Sequence, residues 1–308
     1  MKPLIYAMPG SEDLAKSLAK AIGATLGMLQ FRRFPDGESY VRIGGYKTLS
    51  QRCVAVVCRL DRPDEKTLPL LFLADTLRSY GAKRVGLISP YLPYMRQDKR
   101  FRSGEALTSA SFAGLLSSRF NWLVTVDPHL HRYKTLNELY GIPAEAVAAA
   151  PLISAWIKEN VNTPIVIGPD EESEQWVAAV ADGAQAPYRV STKTRMGDRS
   201  VRVTAPNKAD IAGHTPVIVD DIISTARTMI ETIKGLRQSG SPKPVCIGVH
   251  GIFAEQAYIE LKKAGAGEII TCNTFPHPTN RIDISAAIAP SVARFLDTAH
   301  WSPHEELA

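Results

Sequence analysis

Cysteine is scarce in this 308-residue chain: Cys53, Cys58, Cys246 and Cys272 are the full set. No two form a C-x-x-C pair, and each sits in or beside an apolar run. They read as core thiols in a reducing cytoplasm. Long apolar runs are also missing, so no stretch approaches the length of a membrane span. The run from Met1 to Met8 is too short for a signal peptide and lacks a cleavage-like end. There is no basic stripe interleaved with aromatics, and the net charge of +5 is modest for the length. That balance does not demand nucleic acid; it fits an anionic ligand such as a nucleotide. The remaining composition, 45% hydrophobic and 22% charged, is that of a soluble globular protein with length for two domains.

The most informative stretch runs from Val217 to Thr228. β-Branched residues read as a buried strand that ends at two carboxylates, Asp220 and Asp221. Ser224, Thr225, Ala226, Arg227 and Thr228 follow, and then Met229, Ile230, Ile233 and Leu236 at helical spacing. Strand, acidic pair, hydroxyl-bearing loop and helix form the layout of a phosphate site, because N–H groups at a helix start attract an anion. Carboxylates beside a phosphate would repel it if they touched it. They are better placed to hold sugar hydroxyls, or water on a Mg2+ ion. The stretch resembles the sugar-phosphate loop of phosphoribosyltransferases and of PRPP synthetases, and alone it does not separate the two.

The rest of the chain alternates strands and helices, the grammar of a doubly wound α/β sheet. Strands are expected at Leu4 to Met8, Tyr40 to Ile43, Cys53 to Cys58, Arg84 to Ser89 and Trp122 to Val126. Later ones fall at Pro164 to Ile167, Tyr188 to Ser191, Val245 to Val249 and Glu268 to Cys272. Ser11 can cap the first helix, and a helix with Leu70, Leu73, Ala74 and Leu77 in step closes at Gly81. Further helices are expected at Thr108 to Ser118, Leu152 to Glu159, Gln175 to Ala181, Ala254 to Lys263 and Ile284 to Leu296. Arg199 to Thr204 reads as an antiparallel ribbon with the strand before it. A domain boundary is expected near Ala144 to Pro151, giving domains 1–146 and 147–308, with the last helix able to pack back on the first. The tail from Trp301 reads as loose.

Several loops carry chemistry. Asp36, Gly37 and Glu38 form a turn after Pro35, where solvated carboxylates are the ordinary outcome. Ser89 to Glu105 is a long aperiodic connection with Arg96, Gln97, Asp98, Lys99, Arg100 and Arg102, suited to closing over a polyphosphate. His129 and His131 follow a strand at i and i+2, a spacing that permits metal binding without requiring it. A second acidic cluster begins at Asp170.

Taken in order, Phe34–Glu38, Tyr94–Asp98, Asp127–His129 and Asp220–Thr228 resemble the motifs of the ribose-phosphate pyrophosphokinase (PRPP synthetase) family. Gly168–Asp170 and Lys193–Arg195 stand at that family's Pro-Asp and Lys-x-Arg positions. The resemblance implies two type I phosphoribosyltransferase-like domains with an active site between them. It implies transfer of the diphosphoryl group of ATP to the C1 hydroxyl of ribose 5-phosphate. It places Asp36, Gly37, Glu38, Arg96, Gln97 and Asp98 on ATP, and Asp220, Asp221 and 224–228 on ribose 5-phosphate. It gives His129 and Asp170 to Mg2+, and makes Lys193 and Arg195 the catalytic cations. It also implies a homodimer or hexamer. The chain departs from the family at Glu171 to Ser173, where glycines are usual, and at Arg227, where glycine is usual and a side chain either restricts the backbone or adds a phosphate contact. A weakly active regulatory homologue and a PRPP-using phosphoribosyltransferase are the competing readings.

Overall fold

The structure is a computed structural model. It describes residues 2–297 apart from 46, 48, 131, 170–172, 196–200 and 205–207, and within 192–208 the backbone only. The chain divides into two compact units, one ending at Val147 but regaining the helix that starts at Ser285, the other spanning Ala148–Ile284.

Unit 1 contains β1 (Leu4–Ala7), α1 (Glu12–Ile22), β2 (Thr25–Leu26), β3 (Leu29–Arg33), β4 (Ser39–Ile43), β5 (Cys53–Val57), α2 (Pro63–Ser79), β6 (Arg84–Ile88), α3 (Thr108–Ser117), β7 (Trp122–Val126) and β8 (Ala144–Val147). Six of these strands form a parallel sheet in the order β2-β1-β5-β6-β7-β8. Every residue of β5, β6 and β7 is buried, as expected of central strands covered on both faces. β3 and β4 stand apart as an antiparallel ribbon.

Unit 2 contains α4 (Ala150–Asn160), β9 (Pro164–Gly168), α5 (Glu174–Ala184), β10 (Tyr188–Val190), β11 (Thr192–Arg195), β12 (Val201–Thr204), α6 (Lys208–Ile211), β13 (Thr215–Ile223), α7 (Arg227–Gln238), β14 (Val245–Gly251), α8 (Ala257–Ala264), β15 (Glu268–Cys272) and β16 (Asn280–Ile282). Its parallel sheet runs β10-β9-β13-β14-β15-β16, with β11 and β12 as a separate antiparallel ribbon. The two units therefore share one plan: a sheet in the order 2-1-3-4-5-6, with a ribbon inserted between its second and third strands. No plain sequence repeat announces this duplication.

The last helix, α9 (Ser285–Leu296), packs on α1 and β8, as α4 packs on α5 and β16. Each of these helices follows the last strand of one sheet yet belongs to the other unit. In unit 1 the seat of α9 is specific. Phe295 stacks on Trp122 with centroids 5.0 Å apart, and Arg84 donates to the Asp297 carbonyl at 3.1 Å. Glu145 takes Ser291 at 2.6 Å and pairs with Arg294. The Trp122 indole itself lies across Gly86 on the neighbouring strand, where a Cβ would meet it at 1.8 Å.

Four local expectations are corrected. Ser11 sits at the N-cap of α1, but its Oγ accepts the Arg59 N–H at 2.9 Å rather than a helix N–H. β13 does not end at the acidic pair; it carries both carboxylates and continues to Ile223. The ribbon partner of β12 is β11, while Tyr188–Val190 joins the sheet beside β9. Finally, α8 begins at Ala257, because Glu255 has φ 56 and cannot lie within a helix. The four cysteines are free and buried. Among the described residues no helix is long and apolar enough to cross a membrane.

Phe295→Ala removes both a core ring and the stack on Trp122. It is expected to destabilise unit 1 by ~3–5 kcal/mol, read as an earlier urea midpoint in the transition that reports Trp122 fluorescence.

Candidate active site

In unit 2 the switch point of the sheet lies between β9 and β13, where successive connections leave in opposite directions and ligands are accommodated. β13 delivers Asp220 and Asp221, both half-buried, to the carboxyl edge. Three residues later the chain is already turning into α7. Ala226, its N-cap, is left-handed at φ 57 and ψ 11, and Arg227 is the first helical residue. The strained position is thus Ala226, and the Arg227 side chain costs the loop no backbone strain. Arg227 is exposed at a helix start, where the dipole disfavours a cation unless an anion sits there too. Ser224 and Thr228 are half-buried and Thr225 is exposed, so two of the three hydroxyls are partly sheltered beside the N–H groups that open α7.

β9, on the other side of the switch point, ends at Gly168. A Cβ there would meet Val177 at 2.7 Å, so the strand end passes hard against α5. The Gly168 carbonyl accepts the Ser191 N–H at 3.0 Å, which leads the chain into the ribbon. Lys193 lies on β11 opposite Val203, and Arg195 opposite Val201. Asp170, Glu171 and Glu172 fall outside the described residues.

In unit 1 the same plan carries different residues. Asp36, Gly37 and Glu38 are the exposed tip of the β3–β4 ribbon. Gly37 takes φ 92, and Asp36 Oδ1 accepts the Glu38 N–H at 3.2 Å, which closes the turn. Behind the tip, the Arg32 guanidinium lies 4.4 Å from the ring centroids of both Phe34 and Tyr40. Sequence reading missed this flat cationic–aromatic surface, which suits stacking of a base. The alternation of Arg32, Phe34 and the turn was the available signal.

The long connection after β6 is a folded loop rather than a free one. Tyr94, at φ 65, bonds Asp64 and packs on Phe112 with centroids 4.8 Å apart. Burial and the Asp64 carboxylate push its phenol up to about 12. Thr108 donates to Gln97 Oε1 at 3.0 Å. The Glu105 carboxylate accepts the N–H groups of Phe101 and Arg102 at 2.8 and 3.0 Å. Asp98 keeps only 8% of its side chain exposed and pairs with Arg132 at 3.3 Å. That bridge ties the loop to the segment after β7, where His129 is half-buried. Arg96, Lys99, Arg100 and Arg102 stay exposed. The first turn of α2 joins the parts: Asp64 holds Tyr94, and the Glu65 carbonyl accepts Arg33 of the ribbon at 3.0 Å. So unit 1 gathers the ribbon tip and the basic loop on α2, and the Asp98–Arg132 bridge adds the His129 segment. Unit 2 holds the 220–228 stretch and Lys193 and Arg195. Among the described residues no three His, Cys, Asp or Glu side chains gather as a ready cation cage.

Two parallel sheets of one order, each flanked by helices and one ending in an acidic pair and a helix-opening loop, define a duplicated phosphoribosyltransferase-type α/β fold. Comparison with known proteins agrees. A family profile described as the N-terminal domain of ribose phosphate pyrophosphokinase matches residues 4–119, and one described as the phosphoribosyl transferase domain matches 135–286. Ribose-phosphate pyrophosphokinase of Methanopyrus kandleri is 31% identical over 94% of this chain and 98% of its own length. That of Sulfolobus acidocaldarius is 33% identical over 90% and 94%. The crystal structure of phosphoribosylpyrophosphate synthetase from Mycobacterium smegmatis superposes with a TM-score of 0.79 at 26% identity, covering 96% of this chain and 98% of that one. The chain belongs to the ribose-phosphate pyrophosphokinase family, and it is an enzyme of that class.

Ala226→Gly removes the left-handed penalty of a Cβ and is expected to stabilise unit 2 by about 1 kcal/mol. Arg227→Gly, at a helical position, is expected to do the reverse by about the same amount. Thermal unfolding of the two variants checks the pair of signs.

Proposed function

We propose that the protein transfers the diphosphoryl group of ATP to the C1 hydroxyl of ribose 5-phosphate, releasing AMP and forming PRPP. The observation that carries this reading is the run at the unit 2 switch point, where two carboxylates on β13 lead within a few residues into the opening turn of α7. An acidic pair next to an anion-seeking helix start suits a ligand with hydroxyls at one end and a phosphate at the other.

In this reading the phosphate of ribose 5-phosphate lies on the N–H groups and hydroxyls of Ser224, Thr225, Ala226 and Thr228, with the Arg227 guanidinium as an added cation. Asp220 and Asp221 accept hydrogen bonds from the ribose hydroxyls and so aim C1. Asp36, Gly37 and Glu38 meet the base end of ATP. Arg96 and Gln97 lie along its phosphates, while Asp98, already paired with Arg132, holds their loop in place. The exposed cations of that loop make it a lid that keeps water from the phosphates.

Attack on the β-phosphorus needs no covalent group on the enzyme. It needs alignment and neutralisation of charge on the non-bridging oxygens. Lys193 and Arg195 are assigned that task, Lys as a point charge and Arg as a fork. Hard oxygen donors suit Mg2+, which is commonly held by one or two protein ligands plus substrate phosphates. Asp170 and His129 would hold it here, and its contribution is to offset phosphate charge. The reading extends to a cytoplasmic homodimer or hexamer; the four buried free thiols fit a reducing compartment.

Purified protein given ATP, Mg2+ and ribose 5-phosphate is expected to release AMP, and no AMP despite binding of both substrates would reject the reading. Lys193→Ala is expected to lower kcat about 100- to 1,000-fold while ATP affinity holds, because its contact forms in the transition state. Equal losses in kcat and ATP affinity would remove Lys193 from that role.

A further inference from the structure

The strand exit that carries the acidic pair is gripped by the turn following β14. Phe253 N–H donates to the Ile223 carbonyl at 2.9 Å, and Ala254 N–H donates to the Ser224 carbonyl at 3.1 Å. These donors sit on an uncommon backbone: Phe253 has φ 47 and Glu255 has φ 56. Side-chain-bearing residues stay in the left-handed region only where their surroundings over-determine it.

For Phe253 those surroundings are an aromatic seat. Its ring lies 4.4 Å from His277 and 5.6 Å, edge-on, from Tyr258, and Tyr258 meets His277 at 5.1 Å. The floor of the seat is Gly251, where a Cβ would come within 2.8 Å of the Phe253 ring. Gly248, three residues earlier on β14, likewise leaves room for Ile223, which a Cβ would meet at 2.6 Å. His277 is fixed in turn. Its Nδ1 accepts the Thr279 N–H at 3.3 Å and lies 2.8 Å from the Thr279 hydroxyl, which meets the Thr271 hydroxyl at 2.7 Å. The Lys262 ammonium covers the outer face of Tyr258 at 4.3 Å. Burial and Lys262 both lower the pKa of His277, consistent with a neutral ring whose Nδ1 accepts.

We propose that this aromatic seat is a positioning device for the 224–228 loop, with Phe253 as the wedge that locks the Ile223 and Ser224 carbonyls before any ligand arrives. The proposal deepens the sugar-phosphate reading of that loop and rests on it for its ligand. Without the ring, residue 253 is released from the left-handed region, and rotation of its peptide withdraws both donors from the strand exit. The loop then has to be ordered by the ligand, which lowers affinity for the sugar phosphate and for nothing else. Phe253 itself touches no reacting atom.

The test uses the full chain with Phe253→Leu, which keeps an apolar side chain but no flat face, and Phe253→Tyr, which restores the ring. Amide hydrogen exchange of residues 223–228 in ligand-free protein reads the lock directly: Leu is expected to speed it, and Tyr to return it to the wild-type rate. Ribose 5-phosphate affinity is expected to fall about tenfold in the Leu variant, with its KM rising to match and the KM for ATP unchanged. Tyr258→Leu, which opens the seat from the α8 side, is expected to move the same quantities in the same direction. Unaltered exchange in Phe253→Leu, or a Tyr variant as impaired as the Leu one, overturns the proposal, as does a matching rise in both KM values. Faster exchange in the Leu variant together with no ribose 5-phosphate binding by the wild type would uphold the lock and sink the substrate assignment instead.

Discussion

Between β9 and β13 the unit 2 sheet changes the direction in which it adds strands. β10 is laid on one side of β9, and β13, β14, β15 and β16 on the other. Right-handed crossovers then send the flanking connections to opposite faces, which opens a crevice at the carboxyl ends of β9 and β13. Every polar feature of the candidate sugar-phosphate site follows from that gap. Asp220 and Asp221 reach it because β13 is nine residues long and runs through them, and α7 opens at it because the loop between is only three residues. Unit 1 has the same reversal between β1 and β5, but its equivalent loop is filled from within. Arg59 is 3% exposed and donates to the Gly10 carbonyl at 2.8 Å, while Lys66 takes the Arg59 carbonyl and pairs with Asp61. One plan thus carries an acidic pair at this edge in unit 2 and cations held by their own loop in unit 1. In the proposed reaction the part played by unit 1 falls instead to its ribbon and its long loop.

Strain is distributed in step with this division. Eight described residues other than glycine have positive φ, and five of them, Tyr94, Asp127, Ala226, Phe253 and Glu255, lie in segments that leave the carboxyl ends of strands. Each costs about 1–3 kcal/mol, and Tyr94, Asp127, Ala226 and Phe253 are each held by an identifiable contact or sit at a helix cap. Tyr94 is fastened by Asp64 and Phe112, and Phe253 by His277 and Tyr258. Loops fixed by such contacts suit the proposed reaction, whose catalysis would be mostly alignment.

The central strands and long helices were legible because burial on both faces demands continuous apolar runs, and CVAVV, RVGLI and WLVTV have no other use. What escaped was the periphery. β2 is two exposed residues, β8 reads as a small-residue linker, and β16 hides in a Pro-rich loop; each is ordered by pairing with a neighbour rather than by its own pattern. The 220–228 stretch was recognisable from residue types alone, yet the position of its strain was not. The family departure draws attention to Arg227, whereas the backbone puts the left-handed residue at Ala226. The Asp98–Arg132 bridge and the Phe253 seat join segments far apart in sequence, and nothing local marks them. The duplicated plan was implied by the family resemblance, whereas the order of strands within each sheet has no local signal.

In the proposed reaction two phosphoryl groups travel together from the nucleotide to the sugar. Phosphorus-31 NMR of the protein turning over ATP that carries oxygen-18 on its non-bridging β-phosphoryl oxygens follows both groups. The label is expected in a sugar diphosphate with its phosphorus–phosphorus coupling intact, alongside unlabelled AMP. Label retained in ADP, with a single phosphate on the sugar, would contradict it.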